Sequence, residues 1–167
     1  MTAAIVTKRL RLVPFAGDDA HVRKHVEWLN DPEIVKFSEQ RHRKHTVEFQ
    51  KMYISMMEQH FYREIMVGEK LIGTVAASID SNNQIADLGI LIGDREEWGK
   101  GYGTEAWRGA VDHLFCTVRK VEAGCMAVNH GMRKICMNTG MKMEGIRDAH
   151  FILNGGFTPM IYFGKFR

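Results

Sequence analysis

The sequence lacks most of the features that mark specialised classes of protein. It has three cysteines, Cys116, Cys125 and Cys136, which are too widely spaced to form the close pairs that zinc sites and redox motifs use. No apolar run approaches the length that a helix needs to cross a bilayer. We therefore expect reduced thiols, no metal ion and no membrane span.

Strong charge and an export signal are also lacking. Lys and Arg number 23 against 20 Asp and Glu, which gives a net charge of +3 at pH 7. This mild excess favours a polyphosphate ligand, but without a patterned basic face we do not expect a nucleic-acid-binding protein. Residues 1–9 contain no apolar signal-peptide core, so we expect the chain in the cytoplasm.

What is present is the composition of one compact domain. A chain of 167 residues with 45% hydrophobic and 26% charged residues is long enough to bury a core. It contains no internal repeat, low-complexity tract or linker. We expect a single domain over residues 1–167.

Hydrophobic periodicity predicts an α/β fold of the α+β kind, with seven strands and four helices. The predicted strands cover residues 9–12, 63–67, 70–79, 85–92, 121–128, 141–147 and 160–166. The predicted helices cover residues 18–30, 46–56, 104–118 and 129–139. Because turn residues separate the second, third and fourth strands, we expect these three to form an antiparallel meander.

Residues 90–104 carry the strongest functional signal. An apolar run is followed by Gly99, Gly101 and Gly103 in alternation with other residues, and a helical pattern begins at Thr104. A strand, a loop that exposes its backbone and a helix N-terminus together form an anion-binding arrangement. The Walker and Rossmann patterns do not fit, because Gly follows the lysine of the loop and Thr104 occupies the place of the third Rossmann glycine. A tight turn with a purely structural role remains the alternative.

Residues 98–104, which we call the glycine loop, resemble together with their flanks the GNAT acyltransferase superfamily and, within it, the RimJ/RimL-like branch. That branch often reads Trp-Gly-Lys-Gly-Tyr, then Ala or Gly, then Thr-Glu-Ala, and residues 98–106 match this pattern almost letter for letter. The other matching segments are residues 7–12, 28–33, 71–73, 129, 140–141 and 144–145. The resemblance therefore covers nearly the whole chain.

The resemblance implies a mixed, mostly antiparallel, twisted sheet that is splayed between its fourth and fifth strands. Acetyl-CoA would lie in the opening as the cosubstrate. Its pyrophosphate would be held by the backbone amides of Trp98, Gly99, Lys100, Gly101, Tyr102, Gly103 and Thr104. The pantetheine arm would run along Ile90, Leu91 and Ile92, and the side chain of Asn129 would help to hold it.

Direct transfer of an acetyl group to an amine needs a base for the amine and an acid for the leaving thiolate. By the resemblance, Asp87 stands at a position where related enzymes often carry the carboxylate that faces the amine, and Glu39 and His42 are further candidates. Cys136 stands where many relatives place the Tyr that acts as the acid. An exposed strand carboxylate at Asp87 and a small core residue at Cys136 remain the alternative interpretations.

The acceptor is expected to meet residues 38–46, a polar and positively charged segment that we call the cationic loop. Its charge favours a small molecule such as a nucleotide-linked amino sugar over a polycation. The branch name indicates instead a protein α-amine, such as that of a ribosomal protein. A catalytically silent CoA-binding regulatory domain is the alternative from another class, and a homodimer also remains open. We interpret His21 and His25, one helical turn apart, as surface residues.

Overall fold

The computed structural model describes residues 3–15, 17–57 and 60–167. Within these residues the strands are β1 (Ile5–Val6), β2 (Arg11–Val13), β3 (Phe61–Val67), β4 (Lys70–Asp80), β5 (Ile85–Ile92), β6 (Lys120–Met126), β7 (Lys142–Leu153) and β8 (Gly156–Phe166). The α-helices are α1 (Asp19–Leu29), α2 (Val47–Met56), α3 (Tyr102–Leu114) and α4 (His130–Asn138). Short 3₁₀ turns occur at Glu39–His42 and Arg95–Glu97. The predicted α/β fold is confirmed.

All described strands join one sheet in the order β1-β2-β3-β4-β5-β6-β8-β7. Neighbouring strands are antiparallel except β5 and β6, which are parallel. The β5–β6 pairing covers three positions and ends where Asp87 lies beside Glu122. Beyond Asp87 the two strands separate, and the edge of β5 that faces β6 continues to Ile92 without a partner strand. The predicted splay of the sheet is therefore confirmed.

Helix boundaries follow local signals in the sequence. The side-chain oxygens of Asp18, Thr46 and Asn129 accept backbone hydrogen bonds at the N-termini of α1, α2 and α4. Helix α3 begins at Tyr102, two residues before its predicted start, because Gly101 adopts the left-handed conformation and forms its N-cap.

Helices cover both faces of the sheet. The main core lies between the sheet and α3, where Trp107, Val111 and Leu114 are almost completely buried. Tyr62 of β3 belongs to a second cluster with residues of α1 and α2, whereas its neighbour Phe61 belongs to the main core. Because side chains alternate along a strand, α1 and α2 pack on the opposite face from α3.

The sheet differs from the prediction at three strands, β1, β7 and β8. Strand β1 was not predicted, since Ile5–Val6 is too short to show alternation. Strands β7 and β8 extend well beyond the predicted 141–147 and 160–166, because a register shift between Arg147 and Phe151 interrupts the alternation that we used to place their ends. The hairpin turns at Asn154, which has a φ of 52°.

Candidate active site

The glycine loop leads into α3 and leaves the N-terminus of that helix open. Gly99 and Gly101 have φ angles of 76° and 82°, a region that L side chains rarely adopt. Gly101 is the N-cap, and no side chain caps the first turn. The backbone N–H groups of that turn and the helix dipole therefore give this end of α3 the geometry of an anion-binding site.

Trp98 and Gly103 hold the glycine loop against the end of β5. The indole Nε1 of Trp98 donates a hydrogen bond to the carbonyl of Ile92 at 2.7 Å. A Cβ atom at Gly103 would lie 3.1 Å from Cδ1 of Ile135 and 3.6 Å from Cγ1 of Ile92, so α3 approaches α4 and β5 more closely than most side chains would allow. The open end of α3 thus adjoins the opening between β5 and β6.

The N-terminal segment supports the glycine loop, a role that we did not predict from the sequence. Nε of Arg9 donates to Glu105 at 2.6 Å, and Nη1 donates to the carbonyl of Lys100 at 3.0 Å. The guanidinium also lies 4.5 Å from the centre of the Tyr102 ring, and the hydroxyl of Thr7 donates to Glu105 at 2.7 Å. Thr7 and Arg9 lie in a segment that carried the family resemblance, but only the fold places it beside a helix 96 residues further along the chain.

Lys100 is the predicted cofactor-binding cation, and it is paired with a carboxylate. Its Nζ lies 2.8 Å from Glu97, and this hydrogen bond raises the pKa of Lys100. Lys70 lies 2.8 Å from both Asp94 and Glu97, and hydrogen bonds with these two carboxylates raise the pKa of Lys70. Because Glu97 offsets the charge of Lys100, the open amides of α3 are the main attraction for an anion here.

Asn129 lies at the N-terminus of α4 and is half-buried. Its Oδ1 accepts a hydrogen bond from the backbone of Met132 at 3.0 Å, so the oxygen is occupied by helix capping. Its amide nitrogen makes no hydrogen bond to any other residue that the structure describes. The predicted pantetheine positions Ile90, Leu91 and Ile92 lie on the part of β5 that β6 leaves unpaired.

A cleft of about 920 Å³ lies on the face of the sheet that carries α1 and α2. It reaches the opening in the sheet, where Gly89 and Leu91 of β5 and Gly124 of β6 contribute to its lining. The residues of the cationic loop that line it are Ser38, Gln40, Arg43, Lys44 and His45. The cleft therefore joins the unpaired edge of β5 to the loop that we expected to meet the acceptor.

Asp87 lines this cleft, at the last position where β5 still pairs with β6. Partial burial, and then the negative charge of Glu122 on the adjacent strand, raise the pKa of the Asp87 carboxyl. A raised pKa makes the ionised carboxylate a stronger base. We did not predict Glu122, because a parallel pairing between distant strands leaves no local signal in the sequence.

The other two candidate bases lie elsewhere. Glu39 and His42 approach each other to 3.6 Å, and each side chain is 58% exposed. Their neighbours Ser38 and Gln40 line the cleft, but neither Glu39 nor His42 does. The structure does not bring them together with Asp87, and their catalytic role stays a prediction without geometric support.

Cys136, the candidate acid, lies in the main core with 0% exposure. Burial, and then the neighbouring thiol of Cys125, raise the pKa of Cys136 to about 12. The thiol is therefore protonated at neutral pH, but it has no contact with the cleft surface. The geometry favours the core interpretation, and the acid role stays a prediction.

The interpretation of His25 as a surface residue was wrong. It is 6% exposed, and its Nδ1 lies 2.9 Å from the amide nitrogen of Gln50 and 3.1 Å from the hydroxyl of Tyr62. Its Nε2 lies 3.4 Å from the hydroxyl of Thr74. Burial, and then the charge of His45, lower the pKa of His25 to about 4. The ring is neutral, accepts at Nδ1 and donates from Nε2, and so links α1, α2, β3 and β4 beneath the cleft.

His21 is also not a simple surface residue. Its Nδ1 lies 3.0 Å from the carboxylate of Glu64, whose side chain is 5% exposed. Burial raises the pKa of Glu64, and the hydrogen bond with His21 partly offsets that effect. The two histidines thus attach one side of α1 to the sheet rather than facing solvent.

The apolar positions that predicted α2 are exposed rather than buried. Phe49, Met52, Tyr53 and Met56 are 63%, 54%, 41% and 67% exposed, and all four line the cleft. Helix α2 therefore turns an apolar face toward the cleft, and periodicity alone could not distinguish this face from one that packs in the core.

In the part of the chain that the structure describes, no group of three or more His, Cys, Asp or Glu side chains could hold a metal ion. None of the described helices is both long enough and apolar enough to cross a membrane.

An open sheet edge that leads to an uncapped helix N-terminus, with a cleft beside the opening, is the architecture that the GNAT resemblance implies. Residues 9–142 match the family model described as an acetyltransferase (GNAT) domain. The chain belongs to this family.

One relative is similar to this chain in sequence, and two solved structures are similar to it in fold. The probable N-acetyltransferase YjcK of Bacillus subtilis (strain 168) is 33% identical over 117 residues, which are 68% of this chain and 64% of the relative, slightly less than two thirds of its length. The RimL ribosomal L7/L12 α-N-protein acetyltransferase in complex with coenzyme A shares the fold, with a TM-score of 0.84, 15% identity and 98% coverage of both chains. The microcin C7 self-immunity acetyltransferase MccE, in complex with acetyl-CoA and AMP, has a TM-score of 0.80, 19% identity and coverage of 96% of this chain and 94% of its own.

Proposed function

We propose that the protein is an acetyl-CoA-dependent N-acetyltransferase that transfers the acetyl group directly to a primary amine. The observation that carries the proposal is the unpaired edge of β5, which connects the open N-terminus of α3 to the cleft that contains Asp87. Membership of the GNAT acetyltransferase family supports the reaction type. The two structural neighbours contain coenzyme A or acetyl-CoA, which supports the choice of donor.

The residues present fit this donor. The backbone amides of the first turn of α3 have no side-chain cap and would bind the pyrophosphate. The predicted contribution of the Trp98 amide is not supported, because this N–H donates to the carbonyl of Arg95. The edge of Ile90, Leu91 and Ile92 that faces away from β4 has no partner strand and would hydrogen-bond the amides of pantetheine as a strand does. The carbonyl of Ile92 already accepts a hydrogen bond from the indole of Trp98. The amide nitrogen of Asn129 would donate to the same arm.

The thioester supplies an activated acetyl group, and the residues of this chain prepare the amine. Ionised Asp87 would bind the ammonium form of the acceptor and remove one proton, directly or through water. The amine nitrogen then forms a bond to the carbonyl carbon, and the bond from that carbon to sulfur breaks. A backbone N–H near Leu91 or Ile92 would stabilise the developing oxyanion. As that bond breaks, the nitrogen would lose its second proton and the thiolate would gain one, with water as the carrier, because the Cys136 thiol does not reach the cleft.

For the acceptor we propose a nucleotide-linked amino sugar. Arg43 and Lys44 line the cleft and would attract its phosphates. The exposed rings of Phe49 and Tyr53 offer an apolar wall on which a base could stack. The AMP bound to MccE is a precedent for a nucleotide at this fold.

A second acceptor, a protein α-amine, is favoured by the RimL neighbour, which is described as an α-N-protein acetyltransferase. The apolar face of α2 would then contact the first side chains of the protein substrate. This acceptor would need the cationic loop only if acidic residues followed the α-amine.

The test is the release of free thiol from acetyl-CoA by the purified protein, with acceptors supplied one at a time. UDP-linked amino sugars represent the first class and short peptides with free α-amines represent the second. Release with one class alone, confirmed by mass spectrometry of the acetylated acceptor, would select that class. If calorimetry shows CoA binding while no amine of a broad panel supports release, the regulatory-domain alternative replaces the enzyme.

A further inference from the structure

The C-terminal end of α1 contacts three functional parts of the molecule at once. We call residues 28–31 the α1 bracket. This segment belongs to one of the stretches that match the family, but the proposed chemistry gives it no role. Its contacts reach the end of β5, the 3₁₀ turn that precedes the glycine loop, and the cationic loop.

Trp28 makes the contact with β5. The side chain is 7% exposed, and Leu91 packs against the cluster that it forms. Its ring fills the space above Gly93, where an added Cβ atom would lie 1.9 Å from Cδ2 of the indole. The Trp28 ring therefore covers the backbone at Gly93, immediately after the positions of β5 that we assign to pantetheine.

Asp31 makes the contact with the donor side. Its Oδ1 accepts a hydrogen bond from Nη2 of Arg95, which lies in the 3₁₀ turn before the glycine loop. The same carboxylate accepts from the backbone of Glu33 at 2.9 Å, which fixes its own position. Arg95 is thus tied to the segment that directly follows α1.

Asn30 makes the contact with the acceptor side. Its Oδ1 accepts from the backbone N–H of His45 at 2.9 Å, and its Nδ2 donates to the carbonyl of the same residue at 3.0 Å. Because this pair needs both an acceptor and a donor on one short side chain, Asp could make only one of the two hydrogen bonds. The ring of His45 is in turn 3.0 Å from the carbonyl of Gln40, so the fixed residue also holds the middle of the cationic loop.

From these contacts we infer that the α1 bracket positions the two halves of the site through adjacent residues: Asn30 is a positioning residue for the cationic loop, and Asp31 is a positioning residue for the glycine loop. The inference rests on the proposed function, since it assigns the two loops to acceptor and donor. It goes beyond that function because it predicts that substitutions at two neighbouring positions will affect the two loops separately.

The test compares Asn30→Ala and Asp31→Ala with the wild type, using CoA itself as the probe. Asn30→Ala removes two hydrogen bonds, and hydrogen exchange of the backbone amides in residues 40–45 should become about tenfold faster. The calorimetric Kd for CoA should stay within about twofold. Asp31→Ala should weaken CoA binding by about two- to fivefold, less at high salt, with no change in exchange of residues 40–45.

Conservative variants separate positioning from general loss of stability. Asn30→Asp keeps the acceptor for the His45 N–H and loses the donor, so exchange in the cationic loop should be intermediate. Asp31→Asn keeps an acceptor for Arg95 and should recover part of the CoA affinity. Once an acceptor is found, Asn30→Ala should raise its KM more than it lowers kcat. A variant that merely unfolds would lower the apparent kcat and leave the KM of both substrates unchanged.

Parallel changes would overturn the inference: if either variant altered CoA affinity and loop exchange together, or if neither loop responded, the bracket would be a structural element only. A wild-type protein that binds no CoA would instead contradict the proposed function. In that case hydrogen exchange in the Asn30 variants would still show whether Asn30 orders the cationic loop. Failure of the proposed function and failure of this inference are therefore distinguishable.

Discussion

The proposed donor and acceptor halves of the site are formed by different kinds of chemical group. The donor half consists mainly of backbone: an uncapped helix N-terminus, glycines with positive φ and a strand edge without a partner. The acceptor half consists of side chains from α1, α2, β3, β4, β5 and the cationic loop, arranged around one cleft. Backbone groups recognise what every acyl-CoA shares, while side chains can differ from one acceptor to the next. The donor half should therefore tolerate many changes of side chain but few changes of backbone conformation. The acceptor half should be sensitive to changes of side chain and less sensitive to changes of backbone conformation.

The largest effect is expected from Gly101→Glu, a substitution in the glycine loop of the donor half. The new carboxylate would stand near the proposed pyrophosphate, and a like charge at about 4 Å costs about 4 kcal/mol at an intermediate dielectric, so CoA affinity should fall about a thousandfold. Calorimetry with CoA measures this directly.

Two controls separate charge from backbone strain. Gly101→Ala introduces a side chain at the same positive φ without charge, and it should weaken binding far less. Gly155→Glu places the same side chain at a φ of 78° in the β7–β8 hairpin, where an added Cβ meets no atom within 4 Å, and it should leave CoA binding unchanged. Retained affinity in Gly101→Glu would mean that the glycine loop is only structural.

The second largest effect is expected in the acceptor half, where the side chain of Asp87 should matter more than any backbone group. Asp87→Asn preserves the shape of the residue and removes the base, so kcat should fall by roughly 10²- to 10³-fold with little change in the Kd for CoA. In the wild type, activity should rise with pH as Asp87 ionises, and this acidic limb should disappear in the variant.

Glu122→Gln provides the matched control for that assignment. Its negative charge helps to raise the pKa of Asp87, so its removal should lower that pKa and move the acidic limb of the rate profile to lower pH. An unmoved limb in Glu122→Gln, together with full activity in Asp87→Asn, would remove this carboxylate pair from the mechanism.

The same contrast explains what could be read from the sequence. The glycine loop and its helix are contiguous, so turn chemistry and periodicity located them, with an error of two residues at the start of α3. The fold was also predicted, because six of the strands lie in long, strongly patterned segments. The family resemblance, rather than local physics, supplied the splay between β5 and β6.

The acceptor half was harder because its residues come together only in the fold. His25 shares a helix with Val22 and Leu29, and nothing in the sequence shows that Gln50, Tyr62 and Thr74 surround it. The apolar residues of α2 predicted a helix correctly, but their exposure was not predicted, since periodicity identifies an apolar stripe and not what covers it. The hydrogen bond between Arg9 and Glu105 was not predicted either, because these two residues also come together only in the fold.

A third prediction concerns the buried polar network beneath the acceptor cleft. The pKa of His25 is lowered to about 4 from an ordinary value of 6.5, so the native state favours the neutral ring. Its contribution to the free energy of unfolding is fully present above pH 6.5 and is lost as the pH falls toward 4, by about 3 kcal/mol in total. His25→Gln has no such titration, so the stability difference between the two proteins should change by that amount over the window. Urea unfolding at pH 7, 5.5 and 4 measures it, and a constant difference would mean that the ring is not buried in solution.

The smallest effect on turnover is expected at Cys136, which tests whether the core contributes to the reaction at all. With 0% exposure, the thiol packs against the main core and cannot touch the cleft. Cys136→Ala should therefore leave kcat within about twofold and remove about 1 kcal/mol of stability, seen as a decrease of about 2 to 4 °C in Tm. A tenfold decrease in kcat at unchanged Tm would reverse this conclusion: the thiol would then be the acid that the family resemblance implied, and the packing around α4 would have to open in solution to expose it.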